Sequence, residues 1–166
     1  MGFFGSLPGR ILPGLAHAQN IHPLVVHFPI AFLYGAALFY YVAVVRPRDS
    51  LEWTAFWMLV LGTLGAGAAV ATGLYAESGV MISESVRAHV LEHHEDLMIT
   101  ASVMAAVLAA WAIAARPMPA KGRWFFIAGL AIMLCVITSG ADLGAEMVYG
   151  YNAGGDACAQ PIDFHK

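Results

Sequence analysis

The sequence predicts an all-α protein, a four-helix transmembrane bundle with both termini on the extracytoplasmic side. Hydrophobic residues make up 60% of the 166-residue chain and charged residues only 11%, with a mean hydropathy of +0.70. An ordinary soluble domain has about 25% charged residues, and one this small could not bury so much apolar surface. Four apolar runs are each long enough to cross about 30 Å of hydrocarbon. The basic residues concentrate in the loops at one end of these runs.

The predicted spans have recognisable limits. Pro23 suits the first turn of a helix, where its missing N–H costs nothing. Ser83 and Glu84 predict that the third helix begins well before the membrane, and Pro117 ends it. The four spans are predicted at Pro23–Val45, Trp53–Tyr75, Leu97–Ala115 and Trp124–Val148.

The basic residues predict the orientation, because short loops rich in Lys and Arg stay in the cytoplasm. The first loop contains Arg46 and Arg48, and the third contains Arg116, Lys121 and Arg123. Both loops are therefore expected to be cytoplasmic, which places both termini outside.

The two ends of the chain differ from the predicted transmembrane domain, residues 21–151. Residues 1–20 are expected to form an uncleaved interfacial segment, because the apolar centre is short and is broken by Pro8 and Pro13. Residues 152–166 are expected to form an extracytoplasmic tail. Both ends are rich in Gly and Pro, and such segments order well only against a partner, so both are predicted to contact another protein subunit.

Charge and cysteine content exclude several functions. A net charge of −3 provides no basic field for nucleic acid. Cys135 lies within an apolar helix and Cys158 in the tail, so they form no disulfide framework. The chain contains no CxxCH motif, which excludes covalent attachment of a c-type haem.

The seven histidines all lie near the predicted outer ends of the helices. At 1.5 Å per residue, His27 lies about 27 Å from Val45 and His94 about 31 Å from Ala115, so the two share one depth. A low-spin haem iron needs two such imidazoles on facing helices. The sequence therefore predicts one haem b, with His27 and His94 as its axial metal ligands and Gly73 leaving space beside the porphyrin.

The other histidines allow alternatives. His22 precedes Pro23 and is either a cap of the first helix or a ligand. His93 and His94 point about 100° apart on a helix, so only one of them faces the core. His89 and His93 have a spacing that can bind zinc, but no third ligand stands at a telling offset, which favours a surface pair.

Two carboxylates near the end of the fourth helix also allow two interpretations. Asp142 and Glu146 lie one turn apart. They either reach water at the interface or accept the N–H of a ligand imidazole and fix its orientation.

Four short motifs resemble those of a bacterial family of predicted four-helix membrane proteins, the DUF2231 family. They are HPLVVHFPIA at residues 22–31, ATGL at 71–74, HEDL at 94–97, and Gly144 together with MVYG at 147–150. The resemblance implies a haem b or redox-associated membrane protein, and it carries over His22, His27 and His94. The doubled His93-His94 departs from the family pattern.

The leading functional prediction is a b-type cytochrome-like subunit of a bacterial cytoplasmic membrane. It would transfer electrons between the quinol pool and an outer-face partner such as a cytochrome. The alternative is a non-catalytic anchoring subunit of a larger respiratory or photosynthetic complex. An ion, proton or metal transporter ranks last, because no charged path leads toward the cytoplasmic side.

Overall fold

The computed structural model describes residues 20–80 and 82–153. Within these ranges the protein is all-helical, and four helices are long and apolar enough to cross a membrane, which confirms the predicted fold class. The helices are α1 (His22–Val45), α2 (Asp49–Glu77), α3 (Glu84–Ala115) and α4 (Arg123–Tyr151). The predicted interfacial segment, apart from Asn20, and nearly all of the predicted tail lie outside the described residues.

The helices extend beyond the predicted spans, and at the start of α3 local hydrogen bonds explain the extension. Ser83 caps α3 as predicted, because its hydroxyl accepts a hydrogen bond from the Val86 N–H at 3.3 Å. Residues Arg87–Leu91 then form one π-helical turn, closed by a bond from the Glu92 N–H to the Arg87 carbonyl. A π turn inserts one extra residue into a helix, so it rotates the residues that precede it relative to those that follow.

The four helices form a ring in which consecutive helices are neighbours and α4 closes the ring against α1. Packing is most extensive within the pairs α1–α2 and α3–α4, and α1 and α4 pack least among neighbours. The outward surface is apolar: Leu64 is 68% exposed and Val107 is 61% exposed. Lipid must cover such a surface, so the protein is a multi-pass membrane protein.

The bundle has two ends, here called the histidine end and the arginine end. The histidine end holds the starts of α1 and α3, and the arginine end holds the loops between α1 and α2 and between α3 and α4. That the histidine end faces the outside of the cell stays a prediction.

The two helical hairpins are a structural repeat. The buried residues of α3 within Glu92–Ala115 each lie 72 positions after a buried residue of α1. They are Ala101, Ala105, Leu108, Ala109 and Ala112, following Pro29, Leu33, Ala36, Ala37 and Tyr40. Because α1 and α3 point the same way, the halves are related by a pseudo-two-fold axis along the bundle.

The same holds for α2 and α4, with an offset of 71 positions. All six buried residues of α4 have a buried counterpart in α2. They are Phe126, Leu130, Met133, Ile137, Gly140 and Met147, following Ala55, Leu59, Gly62, Ala66, Ala69 and Ala76. The repeat therefore includes both helices of each hairpin.

Candidate functional site

His22 opens α1 and lies on its buried face, because Pro29 and Leu33, seven and eleven residues later, are both buried. The ring is half-buried against α2. Its Nδ1 lies 3.1 Å from the hydroxyl of Thr72. A methyl group added at Gly73 would lie only 3.0 Å from Cε1 of the ring, so the ring packs closely against this glycine. The structure thus brings two predicted site residues, His22 and Gly73, into contact.

His94 has the matching position on α3. Its Nδ1 lies 2.7 Å from the carbonyl oxygen of Gly140 on α4. A methyl group at Gly144 would lie 3.1 Å from its Cε1. His94 is half-buried, whereas the ring of His93 is exposed. Of the doubled pair, His94 is therefore the one that packs against the bundle.

The two histidine sites are equivalent under the repeat. His94 follows His22 by the 72 positions that relate α3 to α1, and Gly144 follows Gly73 by the 71 that relate α4 to α2. The carbonyl of Ala69, the counterpart of Gly140, accepts a hydrogen bond from the Thr72 hydroxyl, which in turn contacts His22. The two rings therefore lie at the same end of the bundle, at equivalent positions of α1 and α3.

The hydrogen bonds assign the same tautomer to both rings. The Gly140 carbonyl can only accept, so Nδ1 of His94 must carry the proton. The Thr72 hydroxyl donates its own hydrogen to the Ala69 carbonyl at 3.0 Å, so it accepts from Nδ1 of His22. Both neutral rings are left with a lone pair on Nε2. This nitrogen is the one available to a metal.

His27 lies elsewhere on α1. Its ring is exposed, and its Nδ1 donates to the Pro23 carbonyl one turn earlier, at 2.6 Å. The pairing of His27 with His94 as metal ligands stays a prediction, but the geometry supports His22 as the partner of His94. Its position along the chain places His27 inside α1, as predicted. Depth along a helix does not determine which face of the helix a side chain occupies.

The remaining polar groups at the histidine end lie around this pair. His89 is exposed, with Nδ1 bonded to the Ser85 carbonyl at 2.9 Å. Asp142 and Glu146 are exposed, and Glu146 accepts a hydrogen bond from the Tyr151 hydroxyl at 3.4 Å. Thr72 and the Gly140 carbonyl hold the two rings instead of these carboxylates. Across the described ranges, no group of three or more His, Cys, Asp or Glu residues converges on a common metal position.

The sequence analysis did not single out Thr72, Gly140 or Gly144 as functional residues. Thr72 and Gly73 stand together in the ATGL motif, so a local signal existed for Thr72. Gly140 acts through its backbone carbonyl. Every residue has this group, so the residue type does not reveal the role.

Comparison with known proteins gives one match. A family model described as a predicted membrane protein, DUF2231, matches residues 18–157, a range that includes all four helices and both His22 and His94. No curated protein and no solved structure matches the chain.

Proposed function

The chain belongs to the DUF2231 family of predicted membrane proteins, and on that premise we propose that it is a b-type cytochrome-like subunit that transfers electrons at the membrane. One observation carries the proposal. His22 and His94 are equivalent residues of a two-fold repeat, and in both rings the hydrogen bond made by Nδ1 leaves the lone pair on Nε2. A low-spin haem iron takes one such nitrogen from each side.

The residues present fit a haem in three respects. Each ring has its tautomer fixed by an acceptor on a neighbouring helix, Thr72 for His22 and Gly140 for His94. Each ring packs edge-on against a glycine, so the rings have little freedom to turn. The core of the bundle is apolar, with no fully buried charged or polar side chain among the described residues, and the ion pair of Arg87 and Glu77 at the histidine end is only partly buried.

When bound, haem b supplies a one-electron couple between ferric and ferrous iron. The chain supplies the rest. Two neutral imidazoles would hold the iron without adding charge to an apolar bundle, where an unpaired charge is costly. The Nδ1–H bonds make both imidazoles better electron donors.

The position of the two histidines suggests where electrons are exchanged. The sequence has no histidine between His27 and His89, and none between His94 and His165, so the arginine end offers no second pair of histidine ligands. A relay of two haems across the membrane is therefore not proposed. The proposed role is exchange at the histidine end of a bacterial cytoplasmic membrane protein, between quinol in the bilayer and a cytochrome-like partner on the outer face.

The test is an absorption spectrum of the purified protein, expressed with a supply of haem precursor. The expected result is a Soret band and, after reduction, the sharp α band of six-coordinate low-spin haem b, with about one haem per chain by pyridine haemochrome. Circular dichroism in the same sample reports whether the helices are formed. A helical protein with no Soret band would refute the haem and leave the anchoring subunit as the better hypothesis.

A further inference from the structure

A stripe of polar residues runs along α1 where it borders α4. Tyr41, Tyr34 and His27 are spaced by seven residues and so share one face of the helix. The Tyr41 hydroxyl donates to the Ile127 carbonyl of α4 at 3.5 Å, and the Tyr34 hydroxyl bonds to that of Thr138. His27 is therefore the member of the stripe nearest the histidine end, on the face of α1 that borders α4.

On the α4 side of this seam, the side chains become smaller toward the level of His27. Thr138 meets Tyr34. One heptad further along α4, on the same face, lies Ala145, and Ala141 lies between them. Both alanines are only half-buried. These two positions therefore put little side-chain bulk on the α4 side of the seam, which joins the least extensively packed pair of neighbouring helices.

The chemistry of His27 specifies what can bind there. Its Nδ1 donates to the Pro23 carbonyl, so Nε2 carries a lone pair and accepts a hydrogen bond. Within the part of the chain that the structure describes, Nε2 has no hydrogen-bond partner. A polar nitrogen exposed on an apolar, lipid-facing helix is costly unless it is bonded. A suitable ligand is lipid-soluble, flat and a hydrogen-bond donor.

We infer that the seam beside His27 binds the ring of a membrane quinol, with one hydroxyl donating to Nε2 of His27 and the ring lying over Ala141 and Ala145. The inference rests on the proposed electron-transfer function and names the site of its donor. His27 lies about 7.5 Å along α1 from His22. A quinol in the seam would therefore be separated from the histidine pair by α1 alone.

The experiment uses the full-length protein in lipid nanodiscs, kept reduced, with a photoreactive decyl-benzoquinol as the probe. Crosslinks are expected on α1 near His27 and on α4 near Ala141 and Ala145. His27→Ala should weaken binding about tenfold, because it removes the accepting nitrogen. Ala145→Phe should also prevent crosslinking, because the ring of phenylalanine would occupy the seam. The matching quinone, which has no hydroxyl to donate, should bind more weakly than the quinol.

The controls separate this inference from the proposed function. His89→Ala and Ala110→Phe change exposed residues outside the seam and should leave quinol binding unchanged. A haem-loaded protein whose His27→Ala variant binds quinol as well as the wild type would overturn the quinol site alone. Crosslinks confined to other helices would overturn it as well. The absence of a Soret band, measured separately, would refute the haem.

Discussion

The two hairpins of the bundle are alike in their buried residues and different in their polar ones. Both place a histidine against a glycine. Nδ1 of His94 bonds directly to the Gly140 carbonyl, whereas Nδ1 of His22 is linked to the equivalent carbonyl, Ala69, through the Thr72 hydroxyl. The counterpart of Thr72 is Leu143, and the counterpart of His27 is Ile99. What the halves share is the pair of rings, each packed against a glycine. What they do not share lies around that pair, where a donor and a partner would bind.

The cores of the two halves also compensate for each other. Tyr40 and Phe126 are fully buried and meet edge to face, with ring centroids 5.0 Å apart. Their counterparts, Ala112 and Ala55, are also fully buried. Where one half has a large core residue, the other half has a small one at the equivalent position, because the bundle interior is close-packed. The repeat keeps the positions of the core but not its residue types.

The largest expected effect comes from removing either ring. His22→Ala and His94→Ala should each abolish the low-spin haem spectrum, and to the same extent, because the residues are equivalent under the repeat. The measurement is the absorption spectrum of the purified variants. His93→Ala and His89→Ala, which change exposed histidines, are the matched controls and should retain the spectrum.

The outcome also decides between His22 and His27 as the partner of His94. His27→Ala should leave the low-spin spectrum intact if His22 is the ligand. A lost spectrum in His27→Ala together with a retained one in His22→Ala would favour His27 as the partner of His94. It would contradict the equivalence of His22 and His94 as ligands.

The next effect concerns the glycines that support the rings. Gly73→Leu and Gly144→Leu should each displace a histidine and strongly reduce haem content, because even a methyl group would lie 3.0 or 3.1 Å from Cε1. Gly67→Leu is the control, since nothing lies within 4 Å of a methyl group there. Haem per chain is the measurement. Normal haem content in both ring-side variants would show that the rings do not depend on this packing.

The sequence predicted the helices well and the site in part, for a physical reason. Helix formation in a bilayer follows from apolar length, which composition records directly. The pairing of His22 with His94 depends on helix rotation, and no single run of residues records it. The repeat was also invisible, because only Ala37 with Ala109 and Leu59 with Leu130 are identical among its eleven buried pairs.

A smaller effect is expected where the halves differ beside the rings. Thr72→Val removes the hydroxyl that accepts from Nδ1 of His22. Haem affinity should fall about tenfold, and the midpoint potential should rise, because a less polarised imidazole donates less charge to ferric iron. Haem titration and a redox titration measure the two effects. Thr54→Val, at the arginine end, should change neither, and an unchanged potential in Thr72→Val would exclude a positioning role for Thr72.

The smallest effect compares the two seams that join the hairpins. At the α2–α3 seam the Thr63 hydroxyl is shared between its own helix, with Leu59 at 2.8 Å, and the Ala105 carbonyl at 3.3 Å. At the sparsely packed α1–α4 seam, Tyr34 bonds directly to Thr138. Tyr34→Phe should therefore lower the free energy of unfolding by about 0.6 kcal/mol, an average value for hydrogen bonds between membrane helices. Thr63→Val should lower it less.

Unfolding in a detergent titration measures both variants, and Tyr75→Phe, whose side chain is 85% exposed, is the matched control. The haem spectrum should be unchanged in all three, because none of these hydroxyls contacts a ring of the pair. A greater loss in Thr63→Val than in Tyr34→Phe would contradict the view that the α1–α4 seam depends on a few polar contacts. Those contacts, together with the alanines beside His27, are the reason for placing the quinol in that seam and not in the other.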